Sequence, residues 1–270
     1  MSITGIEAVI SLTNHTFYSM DVVYIIGTGS RWDNNELRYS LRSICHHGFN
    51  LGQVYIVGDE LPDFVDPGKV HYLHFCDSPN LSPYQNVFRK IQFFFGASTV
   101  NRFLLSSDDH FFIKPVDFDE WPLHYKGDHM PTEAQMTDVN IGDARYRRVL
   151  IRTAKFMEAN GFDMRFFEGH TNKLYSRAVW EYLQALGIED YAMQEEGISL
   201  NSIMAGAMAG EMKPEYVIKR KDIKLKHLNT PEDWELLKPA RSFSIYNSAI
   251  PSGVGDFLEV MFPDKCRFEK

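Results

Sequence analysis

The chain has little of what would place it in several familiar classes. Among its 270 residues there are only three cysteines, Cys45, Cys76 and Cys266, with no CxxC spacing and no paired framework. A disulfide scaffold is therefore excluded, and the thiols read as reduced ones in a cytoplasmic protein. No run of about 18 apolar residues occurs, so no membrane span is expected. The opening residues lack a basic run followed by a long apolar one, so a signal peptide is not expected either. Repeats and low-complexity linkers are missing. Positive charge is the minority: 28 Lys and Arg against 36 Asp and Glu give a formal charge of −8. That opposes broad attraction to phosphate polymers while leaving room for a local basic patch.

What is present is material for one large core. The composition is 44% hydrophobic and 14% aromatic, and a chain of this length buries roughly three-quarters of its unfolded surface. The first half alternates strand and helix patterns. Val22 to Ile26 is a continuous apolar run, as in a strand buried on both faces. Asp33 with Glu36 resembles a capping box, with Leu37, Leu41 and Ile44 on one helical face and Gly48 as the stop. Strands are expected at Val54 to Val57, Val70 to Phe75 and Arg102 to Leu105. Ser82, Pro83 and Gln85 open a helix whose inward residues are Val87, Ile91 and Phe94 or Phe95. Such alternation implies βαβ units and a mostly parallel sheet. Further helices are expected at Arg147 to Asn160, Ser176 to Leu186 and Ile198 to Ala209. The stretch from Lys114 to Ala144, with Trp121, His124, Tyr125 and Gln135, is longer than a connection needs and is expected to be a lid or acceptor-binding element.

The strongest chemical signal is FLLSSDDHFFIKPV, in which Asp108 and Asp109 end an apolar strand. Ligands of open α/β sheets bind outside such carboxyl ends. Adjacent carboxylates there suit a hard divalent cation, Mn2+ or Mg2+, that bridges phosphate oxygens and neutralises a departing diphosphate. A bare acidic pair also fits a solvated turn or a helix N-cap. His170, in FFEGHTNKLYSR, and His227, in KLKHL, are candidate third ligands or diphosphate contacts, or else hydrogen-bonded structural residues. Glu195 and Glu196 precede a helix, as a dipole partner would, and Glu196 is also a candidate base for an acceptor hydroxyl. Arg31, Arg38, Arg42, Arg89 and Lys90 are candidate phosphate contacts. IIGTGS follows the first strand without a full GxGxxG or GKS pattern, so Gly27, Thr28 and Gly29 mark a backbone approach to the nucleotide base. The basic run from Lys219 to His227 would grip an anion or simply face solvent.

WDNNELRYSLRSI, VYIVGDELPDFV and FLLSSDDHFFIKPVDFDEW together resemble the Stealth family. These are capsular polysaccharide phosphotransferases related to the lysosomal-enzyme N-acetylglucosamine-1-phosphotransferase. GHTNKLYSRAVWEYL and FLEVMFPDKCRFEK are similar to later blocks of that family, and all five occur in order. The resemblance implies a GT-A-like fold and UDP-sugar donors. Carried onto this chain, it puts Asp33, Asn35, Glu36, Arg38 and Arg42 in the donor site, with Asp59 in the second block. It puts Asp108 and Asp109 at the metal and His170 near the diphosphate. The family's WVDGSD-type turn is here Ile26, Gly27, Thr28, Gly29 and Ser30, without an acid. Transfer of a sugar, rather than of a sugar-1-phosphate, is therefore open.

The resulting expectation is a single GT-A-like domain over residues 1–270, with a nucleotide-sugar half at 20–120 and an acceptor half at 121–270. It would be a metal-dependent glycosyltransferase moving a sugar or sugar-1-phosphate to a hydroxyl of a polysaccharide or other large acceptor. One alternative acceptor is a hydroxylated base in nucleic acid. A different class, an inactive carbohydrate-binding module, is opposed by the acidic pair and Glu196.

Overall fold

The computed structural model describes residues 19–131, 144–220, 223–228 and 230–270. Its centre is a five-stranded sheet formed by β1 (Met20–Ile25), β3 (Leu51–Gly58), β4 (His71–His74), β5 (Arg102–Ser106) and β9 (Lys173–Ser176). The spatial order is β4-β3-β1-β5-β9. The first four strands are parallel and β9 is antiparallel to β5. Val22, Val23 and Tyr24 of β1 are fully buried, as the middle of such a sheet requires. The expected mixed α/β architecture with a mostly parallel sheet is what forms.

Helix α1 (Asn35–His47) buries Leu37, Leu41 and Ile44 as its spacing predicts. Its start differs from expectation. Asp33 and Asn34 both adopt the left-handed conformation, and no side chain caps the helix at Asn34. Ser30 serves the turn instead: its Oγ accepts from the Trp32 and Asn34 amides at 3.2 and 2.9 Å. Two consecutive left-handed non-glycine residues cost on the order of 1–3 kcal/mol each. At the other end Gly48 stops the helix in extended, not left-handed, conformation. A Cβ there would lie 2.5 Å from the Ile44 carbonyl and from the Phe118 ring, so close packing is what demands glycine.

Helix α2 (Pro83–Ala97) has the expected capping box between Ser82 and Gln85. Its buried face is Phe88, Ile91, Phe94 and Phe95; Val87 is only partly buried. Helices α3 (Ala144–Ala159), α4 (Arg177–Ala185), α5 (Ile188–Ala192) and α6 (Leu200–Ala209) pack with β9 into the same core. Among the described residues after Lys114 lie two short strands, β7 (Val116–Asp117) and β8 (Leu123–Tyr125). Trp121 and His124 are buried there. Residues 132–143, including Gln135, lie outside the described ones.

A second, unanticipated sheet joins β6 (His110–Phe112), β11 (Lys224–Leu225) and β12 (Ser242–Ile245) in the order β11-β12-β6. Helix α7 (Pro231–Leu237) follows β11, and α8 (Gly255–Met261) closes a separate cluster with Phe111, Phe243 and Phe262. Between β8 and β11 the chain forms β10 (Val217–Lys219), while β2 (Gly48–Phe49) pairs with β7. The C-terminal residues return to the connection between β3 and β4, where the Asp66 amide donates to the Phe268 carbonyl and the Lys270 amide to the Phe64 carbonyl, and to Arg42 of α1, which binds Glu269. No helix among the described residues is long and apolar enough to cross a membrane.

Candidate functional site

From β1 the chain builds outward to β3 and β4, then returns to lay β5 on the other side of β1. That reversal is a topological switch point, where the connections leaving the carboxyl ends part and open a crevice. The β1 end supplies Gly27, Thr28 and Gly29, all exposed, and Ser30. The β5 end supplies Ser107, Asp108, Asp109 and His110. Because β9 is antiparallel, its start lies at the same edge: Leu105 pairs with Lys173, which puts Gly169 to Asn172 beside the acidic pair.

The acidic pair Asp108 and Asp109 stands here, with Glu36 within electrostatic reach of Asp108. Glu36 is buried and accepts from Ser30 Oγ at 2.8 Å. Asp108 feels both Asp109 and Glu36. Burial first, then the like charges of Asp109 and Glu36, push its carboxyl up to about 7. Asn35, next to Glu36, has a buried side-chain oxygen without a partner. Such a group of acids is unfavourable by itself and is relieved by a proton or a cation.

Other elements fix the surroundings. Buried His110 donates from Nδ1 to Asn172 Oδ1 at 3.1 Å, and Asn172 Nδ2 donates to Ser106 Oγ at 3.2 Å. Burial lowers the His110 pKa. Tyr24, Ser40 and the His110 carbonyl form a hydrogen-bonded chain beneath it, at 2.9 and 2.7 Å. The second sheet brings in the C-terminal segment: β12 pairs with β6, and the Ile245 amide donates to the Asp109 carbonyl at 3.3 Å. Lys224 on β11 thereby reaches the acidic pair. Its ammonium lies 3.8 Å from Asp109 Oδ2 and 3.3 Å from His170 Nδ1, and 4.5 Å over the Tyr246 ring. Lys224 also lines a cleft of about 790 Å³ with Trp121, His124, Arg220, Leu236 and Arg241.

The residues expected at the site divide into those that gather and those that do not. Asp108, Asp109, Glu36, His170 and the Gly27–Gly29 turn gather at the carboxyl edge. His227 does not complete a metal set with Asp108 and Asp109; its Nδ1 bonds Asp233 at 2.9 Å, next to α7. Arg42 is occupied elsewhere. It grips Glu269 through Nε and Nη2 at 2.7 and 2.9 Å and donates to the Phe262 carbonyl at 2.8 Å. Arg38 lies over the Phe64 ring and 3.8 Å from the same Glu269. Both arginines therefore anchor the C-terminal residues, which is a different use from the expected phosphate contact. Arg89 sits over Phe75, whereas Arg31 and Asp33 are exposed. Lys90 is buried, donating to the Ile26 carbonyl at 2.8 Å and pairing with Asp77 at 2.6 Å, so it ties α2 to the glycine turn.

Glu196 is paired with Arg148 at 2.6 Å and Arg145 at 3.1 Å. Its backbone carbonyl accepts from Ser82 Oγ at the start of α2, which places it over the same edge of the sheet. Asp59 leaves the end of β3 and contacts Cys76, further out along that edge. Lys224 was visible in the sequence only as one of several basic residues, and Asn172 only as one position of the GHTNKLYSRAVWEYL block. No family model matches the chain, and no curated protein matches it.

Proposed function

We propose that this protein is a metal-dependent transferase of GT-A type that takes its donor from a nucleotide-sugar, most simply a UDP-sugar, as the Stealth resemblance implies. The reading rests above all on the acidic pair at the switch point, where burial and the charges of Asp109 and Glu36 raise the Asp108 pKa to about 7. The residues fit a divalent ion: hard oxygen ligands, mutually repelling, at an open sheet edge. Asp108 and Asp109 would hold it, and when bound it supplies charge neutralisation to a diphosphate leaving group. Lys224 adds a fixed positive charge on the diphosphate side, and His170 a hydrogen-bond donor. The exposed Gly27–Gly29 turn receives the nucleotide. Glu196 is the candidate base, and Arg145 and Arg148 hold its carboxylate in place. The cleft beside Lys224 offers room for a large hydroxylated acceptor such as a polysaccharide. Its Arg220 and Arg241 also favour an anionic one, nucleic acid included.

The test is donor hydrolysis across UDP-, GDP- and CMP-sugars with Mn2+. Turnover of one nucleotide class, stopped by EDTA and lost in Asp109→Asn with an unchanged melting temperature, is expected. Turnover that persists in EDTA, or in the variant, would reject the metal role. No binding or turnover of any nucleotide-sugar would reject the transferase.

A further inference from the structure

A second cluster of ligating side chains lies at the outer corner of the main sheet, apart from the carboxylates above. Strand β4 is the edge strand, and its register with β3 pairs His74 with Gly58. Asp59 and His74 consequently leave the sheet side by side, and Cys76 follows two residues later. The Cys76 thiol donates to Asp59 Oδ1 at 2.7 Å and lies 3.4 Å from His74 Nε2. The three ligand atoms all fall within 4.8 Å of one another, and this is the one such trio of His, Cys and acidic groups among the described residues. Around a tetrahedral ion, ligand atoms sit roughly 3–4 Å apart, so little movement is needed to close on one.

The arrangement behind the ligands is what separates this trio from a chance surface group. Tyr72 Oη donates to the Asp59 carbonyl at 2.8 Å and stands 3.1 Å from His74 Nδ1. With the tyrosine proton committed to that carbonyl, Nδ1–H is the donor to Oη, and the Nε2 lone pair is left facing Cys76. A second residue that fixes the tautomer and direction of a ligating imidazole is a regular part of protein metal sites. The same tyrosine holds the backbone of Asp59. His74 and Cys76 are exposed, so an ion can enter from solution.

We propose that Asp59, His74 and Cys76 bind a transition-metal ion of the Zn2+ class, with a fourth position open to water. One sulfur, one imidazole nitrogen and one carboxylate oxygen form a softer set than Asp108 and Asp109, and suit zinc or cobalt over magnesium. On binding, the Cys76 thiol releases its proton to solvent and the thiolate takes the metal. The site is independent of the transferase reading and stands whether or not that reading does.

Cobalt is the probe, because a thiolate ligand gives it an intense near-ultraviolet charge-transfer absorption and a tetrahedral field gives strong visible bands. Chelator-treated full-length protein titrated with Co2+ should show both, saturating at one ion per chain, and Zn2+ should bleach them. Cys76→Ser should remove the charge-transfer band. His74→Ala should abolish the tetrahedral bands, and Tyr72→Phe should weaken Zn2+ binding about 10–100-fold in calorimetry. Asp109→Asn should leave all of this unchanged. Absence of the charge-transfer band in the wild type, or its survival in Cys76→Ser, would overturn the proposal. Loss of the bands in Asp109→Asn would overturn the claim that the two sites are separate.

Discussion

Replacing Asp108 by asparagine should make the metal-free protein more stable at alkaline pH. The folded chain holds a proton on Asp108 up to about 7, whereas the unfolded chain releases it near 3.8. Between those values the folded state binds more protons than the unfolded one, so stability falls as pH climbs from about 4 to 7 and stays low above. A displacement of that size is worth about 4 kcal/mol for a fully desolvated group. Asp108 is only partly buried, and screening by water reduces this to about 1–2 kcal/mol. Asparagine cannot ionise and is nearly isosteric. In EDTA at pH 8 the variant should therefore melt about 2–8 °C above the wild type, and the two should converge near pH 4.5. Added Mn2+ should raise the wild-type transition, by about 2.7 kcal/mol at a hundredfold excess over Kd, and leave the variant unmoved. Differential scanning calorimetry at the two pH values, with and without metal, reads all of this. If the variant melts below the wild type by the same margin at both pH values in EDTA, the carboxylate makes favourable native contacts and the repulsion of Asp109 and Glu36 has been misjudged.

Three further outcomes follow from the same geometry. Arg42→Ala should cost about 3–5 kcal/mol in denaturant unfolding, since it strands the Glu269 carboxylate, whose side chain is 2% exposed. Removing both partners should cost less than the sum of the single losses, and strict additivity would show that the pair is not coupled. Gly48→Ala should destabilise by about 1–3 kcal/mol because the new methyl meets backbone and an aromatic ring at 2.5 Å; a neutral result would mean that α1 and Phe118 separate easily. Lys224→Ala should weaken nucleotide-diphosphate binding about 10–100-fold, the worth of one charge-assisted hydrogen bond, with a diminished salt dependence. Unchanged calorimetric affinity would take Lys224 out of the donor site.

What the sequence by itself determined is the part governed by neighbours along the chain. The buried run of β1, the apolar face of α1 and the Ser82–Gln85 capping box depend on spacings of two to four residues, and each formed where its pattern stands. So did the position of Asp108 and Asp109, because an apolar strand followed by acids must end at the sheet edge. The start of α1 shows the limit of such signals: the Asp33 and Glu36 spacing matches a capping box, but Glu36 is drawn to Ser30 and the helix begins without a side-chain cap. Contacts between distant segments were decided by the tertiary structure alone. Pairing of β12 with β6 carries Lys224 to Asp109, the antiparallel entry of β9 sets Asn172 against His110, and the return of the C-terminal residues claims Arg42 of α1 for Glu269. The register of β4 on β3 likewise decides that Asp59, His74 and Cys76 meet. A basic residue or a lone histidine in a sequence carries no record of its partner, because the partner is chosen by which strands share a sheet, and that choice is made by burial of the whole core at once.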